Sequence, residues 1–193
     1  MDLPTAYLVR HGETAWSRTG QHTGRTDIPL TECGQREALR LGERLRGVNF
    51  ARIYTSPAQR AAHTCELAGF AEGVRVDPDL QEWDYGAYEG LTSAEILAKH
   101  PGWDLFRDGC PNGESPADVR ERADRVVQRA RAAQGTILVF SSGHFIRALA
   151  SRWLNLELTA VSRHLALSTT SISIVSHERE ISRPIVQLWN ERC

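Results

Sequence analysis

Apolar and polar residues along the chain follow two rhythms. Short, dense apolar runs closed by small or charged residues read as buried strands: Ala6 to Arg10 (AYLVR), Arg52 to Thr55 (RIYT) and Thr136 to Ser141 (TILVFS). Val74 to Asp77 is a further strand candidate, and Thr170 to Ser176 (TSISIVS) alternates as an edge strand does. Between these runs, apolar residues recur at helical spacing. Thr31 to Arg46 carries Ala38, Leu41 and Leu45 on one face, and His144 to Leu154 (HFIRALASRWL) is amphipathic. Ser56-Pro57 reads as an N-cap and first helical proline, opening a helix to about Ala68. Ser115-Pro116, with Asp118 in the first turn, opens an arginine-rich helix to about Ala133.

Strands alternating with helices of this length predict an α/β fold. The expectation is a single three-layer α/β/α domain over residues 1–193, with a mainly parallel sheet and one antiparallel edge strand. A chain of 193 residues is long enough to bury a substantial core. No repeat, low-complexity tract or linker divides it.

Composition narrows the function. Hydrophobic residues at 41% and charged residues at 24% describe an ordinary globular protein. A net charge of −1 provides no global field for nucleic acid or membrane. Lys99 is the only lysine, so almost all positive charge is guanidinium; codon bias is the simpler explanation than phosphate binding. Cys33, Cys65, Cys110 and Cys193 form no C-x-x-C pair and match no zinc spacing. No apolar signal or membrane-spanning run is present, which leads to the expectation of a cytoplasmic enzyme with reduced thiols, no metal and no cofactor. Trp153 and Trp189 fit the core better than an interface, and a homodimer is left open.

The candidate chemistry lies just after the strands. Arg10 and His11 follow the first, Arg60 the second, Glu82 the third, and Ser142, Gly143 and His144 the fourth. In an open α/β sheet, ligands bind outside the carboxyl ends of the strands, where helix N-termini offer free N–H groups. Two arginines, two histidines and a carboxylate are therefore expected to converge on an anion. The remaining histidines, His22, His63, His100, His164 and His177, are read as structural or surface residues.

The longer pattern sharpens this reading. Leu8-Val9-Arg10-His11-Gly12-Glu13-Thr14, His22-Thr23-Gly24-Arg25-Thr26-Asp27 and Thr55-Ser56-Pro57-Ala58-Gln59-Arg60-Ala61 strongly resemble the phosphoglycerate mutase-like branch of the histidine phosphatase superfamily. Glu82 to Gly90 and Trp103 to Cys110 look more like the sedoheptulose-1,7-bisphosphatase type and related bacterial acid phosphatases. The resemblance implies His11 as the nucleophile, Arg10 and Arg60 as phosphoryl ligands and Glu82 as the general acid. It places Ser17, Thr23, Gly24 and Tyr85 on the substrate side, with Ser142, Gly143 and His144 beside them. The chemistry agrees. Neutral imidazole is a competent nucleophile near pH 7, and planar guanidinium matches phosphoryl oxygens without a metal. Gly12 is expected to let the phosphate approach closely, and Asp84 is a candidate neighbour that raises the pKa of Glu82.

One position departs from the family. Aligned on Gly143 and Arg147, Ser142 stands where a second catalytic histidine is usual, and His144 falls two residues later. Losing such a donor typically costs on the order of 10²–10³ in rate. Three explanations stay open: compensation by His144 or Arg147, an introduced substitution, or a weakened enzyme that mainly binds phosphorylated ligands. The leading expectation is a metal-independent phosphomonoesterase acting on small phosphorylated metabolites through a phosphohistidine on His11. The alternatives are a phosphoglycerate mutase-type phosphotransferase and a phospholigand-binding protein.

Overall fold

The computed structural model describes residues 3–133 and 135–192. Six strands form one sheet: β1 (Thr5–Arg10), β2 (Arg52–Thr55), β3 (Arg75–Val76), β4 (Thr136–Ser141), β5 (Ile172–His177) and β6 (Pro184–Glu191). Their order is β3-β2-β4-β1-β5-β6. The first four run parallel, β5 adds antiparallel to β1, and β6 adds antiparallel to β5. The helices are α1 (Ala15–Thr19), α2 (Glu32–Leu45), α3 (Gln59–Leu67), α4 (Ser93–Lys99), α5 (Leu105–Asp108), α6 (Pro116–Ala132), α7 (Gly143–Trp153) and α8 (Leu158–Val161).

The period of two along β1 and β4 builds both cores. Ala6, Leu8, Ile137 and Val139 face the layer of α6 and α7, packing with Val119, Ala123, Phe145 and Leu149. Val9, Leu138 and Phe140 face the opposite layer with Leu41 and Leu45 of α2. The expected three-layer α/β fold is therefore present, with α2 bounded as its apolar stripe indicates. Its cap is Thr31, whose hydroxyl accepts from Gly34 N. Ser115 caps α6 through a reciprocal capping box with Asp118, and Pro116 occupies its first turn. Trp153 is buried and donates to the Ser176 carbonyl at 2.9 Å.

Several boundaries differ from the sequence expectation. Ser56 does not cap α3. It lies buried at the end of β2, its N–H donating to the Phe140 carbonyl, and the helix starts at Gln59 with Ala58 as a cap lacking a side-chain bond. The missing acceptor comes from afar: the Asp27 carboxylate accepts from Gln59 N at 2.9 Å. The third strand shrinks to Arg75–Val76 at the sheet edge, with Val76 61% exposed. The alternating segment after Thr170 is not an edge strand. All six residues of β5 are buried between β1 and β6. Its serines tolerate this because they are bonded: Ser173 Oγ accepts from Asn190 N, and Ser176 Oγ pairs with Thr5 Oγ1 at 2.8 Å. The true edge, β6, mixes polar and apolar residues and is mostly half-buried, so its composition does not announce a strand.

Candidate active site

β1 ends at the site. His11 N donates to the Ser141 carbonyl, and Thr170 N donates to the carbonyls of Arg10 and His11. Thr170 holds φ at 57°, an uncommon conformation for a β-branched residue, and its hydroxyl donates to Glu37. The turn is thus pinned from β4 and β5 together. Gly12 continues it, and its N–H donates to Thr64 Oγ1 of α3, which in turn donates to the Arg60 carbonyl. A Cβ on Gly12 would lie 2.7 Å from the Gly34 carbonyl oxygen, and one on Gly34 would lie 2.4 Å from the Glu13 oxygen. Glycine is needed here for the crossing of two backbones.

His11 is buried, and its Nδ1–H donates to the Gly12 carbonyl at 2.8 Å. That bond fixes the tautomer, because a carbonyl only accepts. The lone pair then lies on Nε2, which has no hydrogen-bond partner among the described residues, and His11 lines a cavity. Burial, reinforced by Arg60 and Arg10, holds the His11 pKa well below the usual histidine range. The neutral, nucleophilic form therefore persists into mildly acidic solution.

The cavity has a volume of about 170 Å³ and is strongly polar. Arg10, His11, Ser17, Thr23, Glu82, Tyr85, Gly143 and His144 line it, so eight of the sequence-picked residues meet there. Arg10 donates through Nη1 to the Leu167 carbonyl at 2.6 Å, and its buried Nε has no partner. Arg60, Gly24 and Ser142 do not reach the cavity surface. Arg60 is fully buried, and its Nη atoms donate to the carbonyls of Thr23, Gly24 and Thr26, holding that loop. Gly24 is walled off: its N–H donates to Glu89, and a Cβ would lie 2.5 Å from the Trp83 carbonyl oxygen. The Ser142 side chain is wholly buried with an unpartnered Oγ. Ser17 lies on the wall, but its hydroxyl accepts from Thr14 N and donates to Thr14 O, closing the cap of α1.

Glu82 joins the third strand's turn to the fourth. Its Oε2 accepts from His144 N and its Oε1 from Phe145 N and Trp83 N, at 2.8–2.9 Å. It caps α7 from a distant segment, where Ser142 makes no side-chain cap bond. Arg122 of α6 holds that segment, donating to the carbonyls of Asp79 and Gln81 and to the Glu114 carboxylate. The long arginine-rich helix is thereby explained: Arg122, Arg125 and Arg129 pair with Glu114, Asp77 and Asp79, away from the cavity. Asp84 is not the expected neighbour of Glu82; it pairs with Arg25 at 2.7 Å and accepts from Gly86 N.

Sequence reasoning missed part of the wall: Gly20, Gln21, His22, Ser93 and Leu167, with Arg147 considered only as a substitute for the missing histidine. His22 was taken as structural, yet its ring lies parallel to that of His144, with centroids 5.7 Å apart. Ser93 had a usable signal, since Thr92-Ser93-Ala94-Glu95 forms the capping box that starts α4. Among the described residues no group of three or more His, Cys, Asp or Glu is placed to hold a metal ion, and no helix is long and apolar enough to cross a membrane. Burial pushes the thiols of Cys65 and Cys110 up to about 12, so they are poor nucleophiles.

The fold and the site define an α/β protein with a histidine- and arginine-lined pocket at the carboxyl edge of its parallel strands. The chain belongs to the histidine phosphatase superfamily (branch 1), whose family profile matches residues 6–192. It is 42% identical over 178 residues to an acid phosphatase of Mycobacterium tuberculosis, covering 90% of this chain and 87% of that protein. It is 37% identical over 185 residues to the sedoheptulose 1,7-bisphosphatase of Saccharomyces cerevisiae, covering 79% and 68%. A solved structure of a Mycobacterium tuberculosis open reading frame product superposes with a TM-score of 0.90 at 37% identity, over 97% of both chains.

Proposed function

We propose that the protein is a phosphomonoesterase that hydrolyses small phosphorylated metabolites through a phosphohistidine on His11, without a metal ion. The observation that carries this reading is the His11 tautomer: Nδ1–H bound to Gly12 O, leaving a lone pair on Nε2 open to a cavity that Arg10 also lines. Nε2 attacks phosphorus and the bond to the leaving oxygen breaks. Glu82 supplies the proton that the leaving alkoxide takes up. Water then attacks phosphorus, gives its proton to the Glu82 carboxylate, and the P–N bond breaks to release inorganic phosphate. Arg10 binds the phosphoryl oxygens, and the buried charge of Arg60 adds to the field at His11 while holding the Thr23–Thr26 loop. Ser17, Thr23, Tyr85, Gly143 and His144 border the bound ester. A cavity of about 170 Å³ suits a small ester rather than a macromolecular one. Phosphatase names among the relatives support the same reaction class.

The test is phosphoenzyme trapping. Rapid quench with a labelled phosphate ester is expected to yield an acid-labile, base-stable phosphoprotein in the wild type and none in His11→Ala. Turnover by His11→Ala is expected to fall on the order of 10³-fold or more. Turnover that survives in His11→Ala refutes the nucleophile, and activity lost to a chelator and restored by a divalent ion refutes the metal-free reaction.

A further inference from the structure

Three histidines, His11, His22 and His144, line the cavity, and their ring nitrogens are not equivalent. His11 and His22 each place Nδ1 against a backbone carbonyl, that of Gly12 at 2.8 Å and of Leu91 at 2.7 Å. A carbonyl has no proton to give, so Nδ1 carries a proton in both rings, and His11, held neutral by burial, presents a lone pair at Nε2. His144 differs. Its Nδ1 lies 2.6 Å from the Tyr85 hydroxyl, which has no other hydrogen-bond partner among the described residues. Its Nε2 has no hydrogen-bond partner among the described residues, and His144 lines the cavity.

We propose that Tyr85 locks His144 in the Nε2–H tautomer, making His144 the neutral N–H donor to a substrate oxygen that Ser142 does not supply. The inference rests on the phosphomonoesterase reading for the identity of that substrate, but not for the tautomer. Burial raises the Tyr85 pKa well above the usual tyrosine value, so its hydroxyl keeps its proton. Burial, with Arg147, His22 and Arg10 nearby, holds His144 neutral. A protonated phenol facing a neutral imidazole as its single partner donates to Nδ1, and the ring proton then resides on Nε2.

The ring is held on every side. His22 lies parallel at 5.7 Å, Phe106 meets it edge-on at 5.7 Å, and the His144 backbone N–H is fixed by Glu82. Arg10 lines the same cavity as His144 and packs against the preceding residue, where a Cβ on Gly143 would lie 3.2 Å from Arg10 Nε. Position 142 contributes no competing donor to the cavity, since the Ser142 side chain is wholly buried. Tyr85 is thus a positioning residue, acting on the substrate only through the proton it places.

Imidazole ¹⁵N spectroscopy of the full chain labelled with ¹⁵N-histidine tests this directly. At neutral pH, His144 is expected protonated at Nε2, and His11 and His22 at Nδ1. Inorganic phosphate is expected to shift the His144 Nε2–H signal. In Tyr85→Phe, which keeps the ring and loses the hydroxyl, His144 is expected to populate both tautomers, with kcat/KM on phenyl phosphate falling about tenfold. His144→Phe is expected to lose on the order of 10²-fold, and adding Ser142→His to that variant to recover part of the loss. A His144 ring protonated at Nδ1 in the wild type, a signal unmoved by phosphate, or wild-type kinetics in His144→Phe each overturn the inference. A wild type that binds phosphate with the expected shift but releases none from phenyl phosphate refutes the catalytic reading while upholding the donor.

Discussion

The turns that follow β1 and β4 meet at one cavity, yet they are held in opposite ways. At the β1 turn, the reactive histidine is oriented by its immediate neighbour: His11 Nδ1–H binds the carbonyl of Gly12. At the β4 turn, almost nothing local fixes the geometry. Ser142 makes no side-chain cap bond, and its Oγ is unpartnered. The N–H groups of His144 and Phe145 are taken by Glu82, and the His144 ring by Tyr85, from segments about sixty residues away. At the β1 turn the ring takes its orientation from contiguous sequence, while the backbone beneath it is pinned by Ser141, Thr170 and Thr64. The β4 turn borrows its orientation from the segment between β3 and α4, and changes there propagate directly into the site.

The strongest challenge to this contrast is Glu82→Gln. It weakens the remote cap of α7 and removes the proton that an alkoxide leaving group requires. Steady-state rates on alkyl phosphates are expected to fall about 10²–10⁴-fold, and those on aryl phosphates much less. Equal losses on both classes would reduce Glu82 to a cap. Gly12→Ala strikes the β1 turn instead. The new methyl group meets the Gly34 carbonyl, and the expected loss is about 1–3 kcal/mol in a urea titration, with the Glu82 bonds to α7 intact. A neutral result would mean that the two crossing backbones separate easily.

Acidification acts on both turns together. His11 and His144 have folded-state pKa values lowered by burial, whereas the unfolded chain takes up these protons near the ordinary histidine value of about 6.5. Below that pH the unfolded state holds more protons, so stability present at higher pH is lost as the pH falls. Urea midpoints are expected to drop between pH 7.5 and 5.5, and to drop less in His144→Phe. The smallest effect is expected from Ser142→Ala. Removing a buried hydroxyl with no partner breaks no hydrogen bond, so stability should stay within about 0.5 kcal/mol or rise slightly. A clear loss would show that the hydroxyl has a partner in solution and that the β4 turn is locally held after all.

Much of this arrangement is legible in the chain itself. The apolar runs of β1, β2 and β4, the stripe of α2 and the Ser115-Pro116 start of α6 are local signals with local causes, and each appears in the structure. Arg10, His11, Glu82 and His144 were found because each directly follows a strand or its turn, and parallel strands open to one edge. The misreadings share a different cause. Ser56 looked like a cap, but Asp27 supplies the acceptor to the first turn of α3. The alternation of β5 looked like that of an edge strand, but β6 covers it and hydrogen bonds satisfy its serines. Arg60 and Gly24 read as cavity residues, but both lie inside its wall, because the carbonyls of the Thr23–Thr26 loop and the Glu89 carboxylate engage them first.

Sequence alone determined the layered α/β architecture and the strand edge at which the candidate site lies, because periodicity and strand-end position depend on contiguous residues. Tertiary structure alone decided which residues share the cavity with His11. It brought His22 alongside His144, turned the Tyr85 hydroxyl onto a ring nitrogen and set Glu82 on the N-terminus of α7. These pairings are 59 to 122 residues apart in the chain, and no local propensity encodes them. They follow from packing two layers of helices against one sheet, which places distant loops within hydrogen-bond distance only once the core has formed.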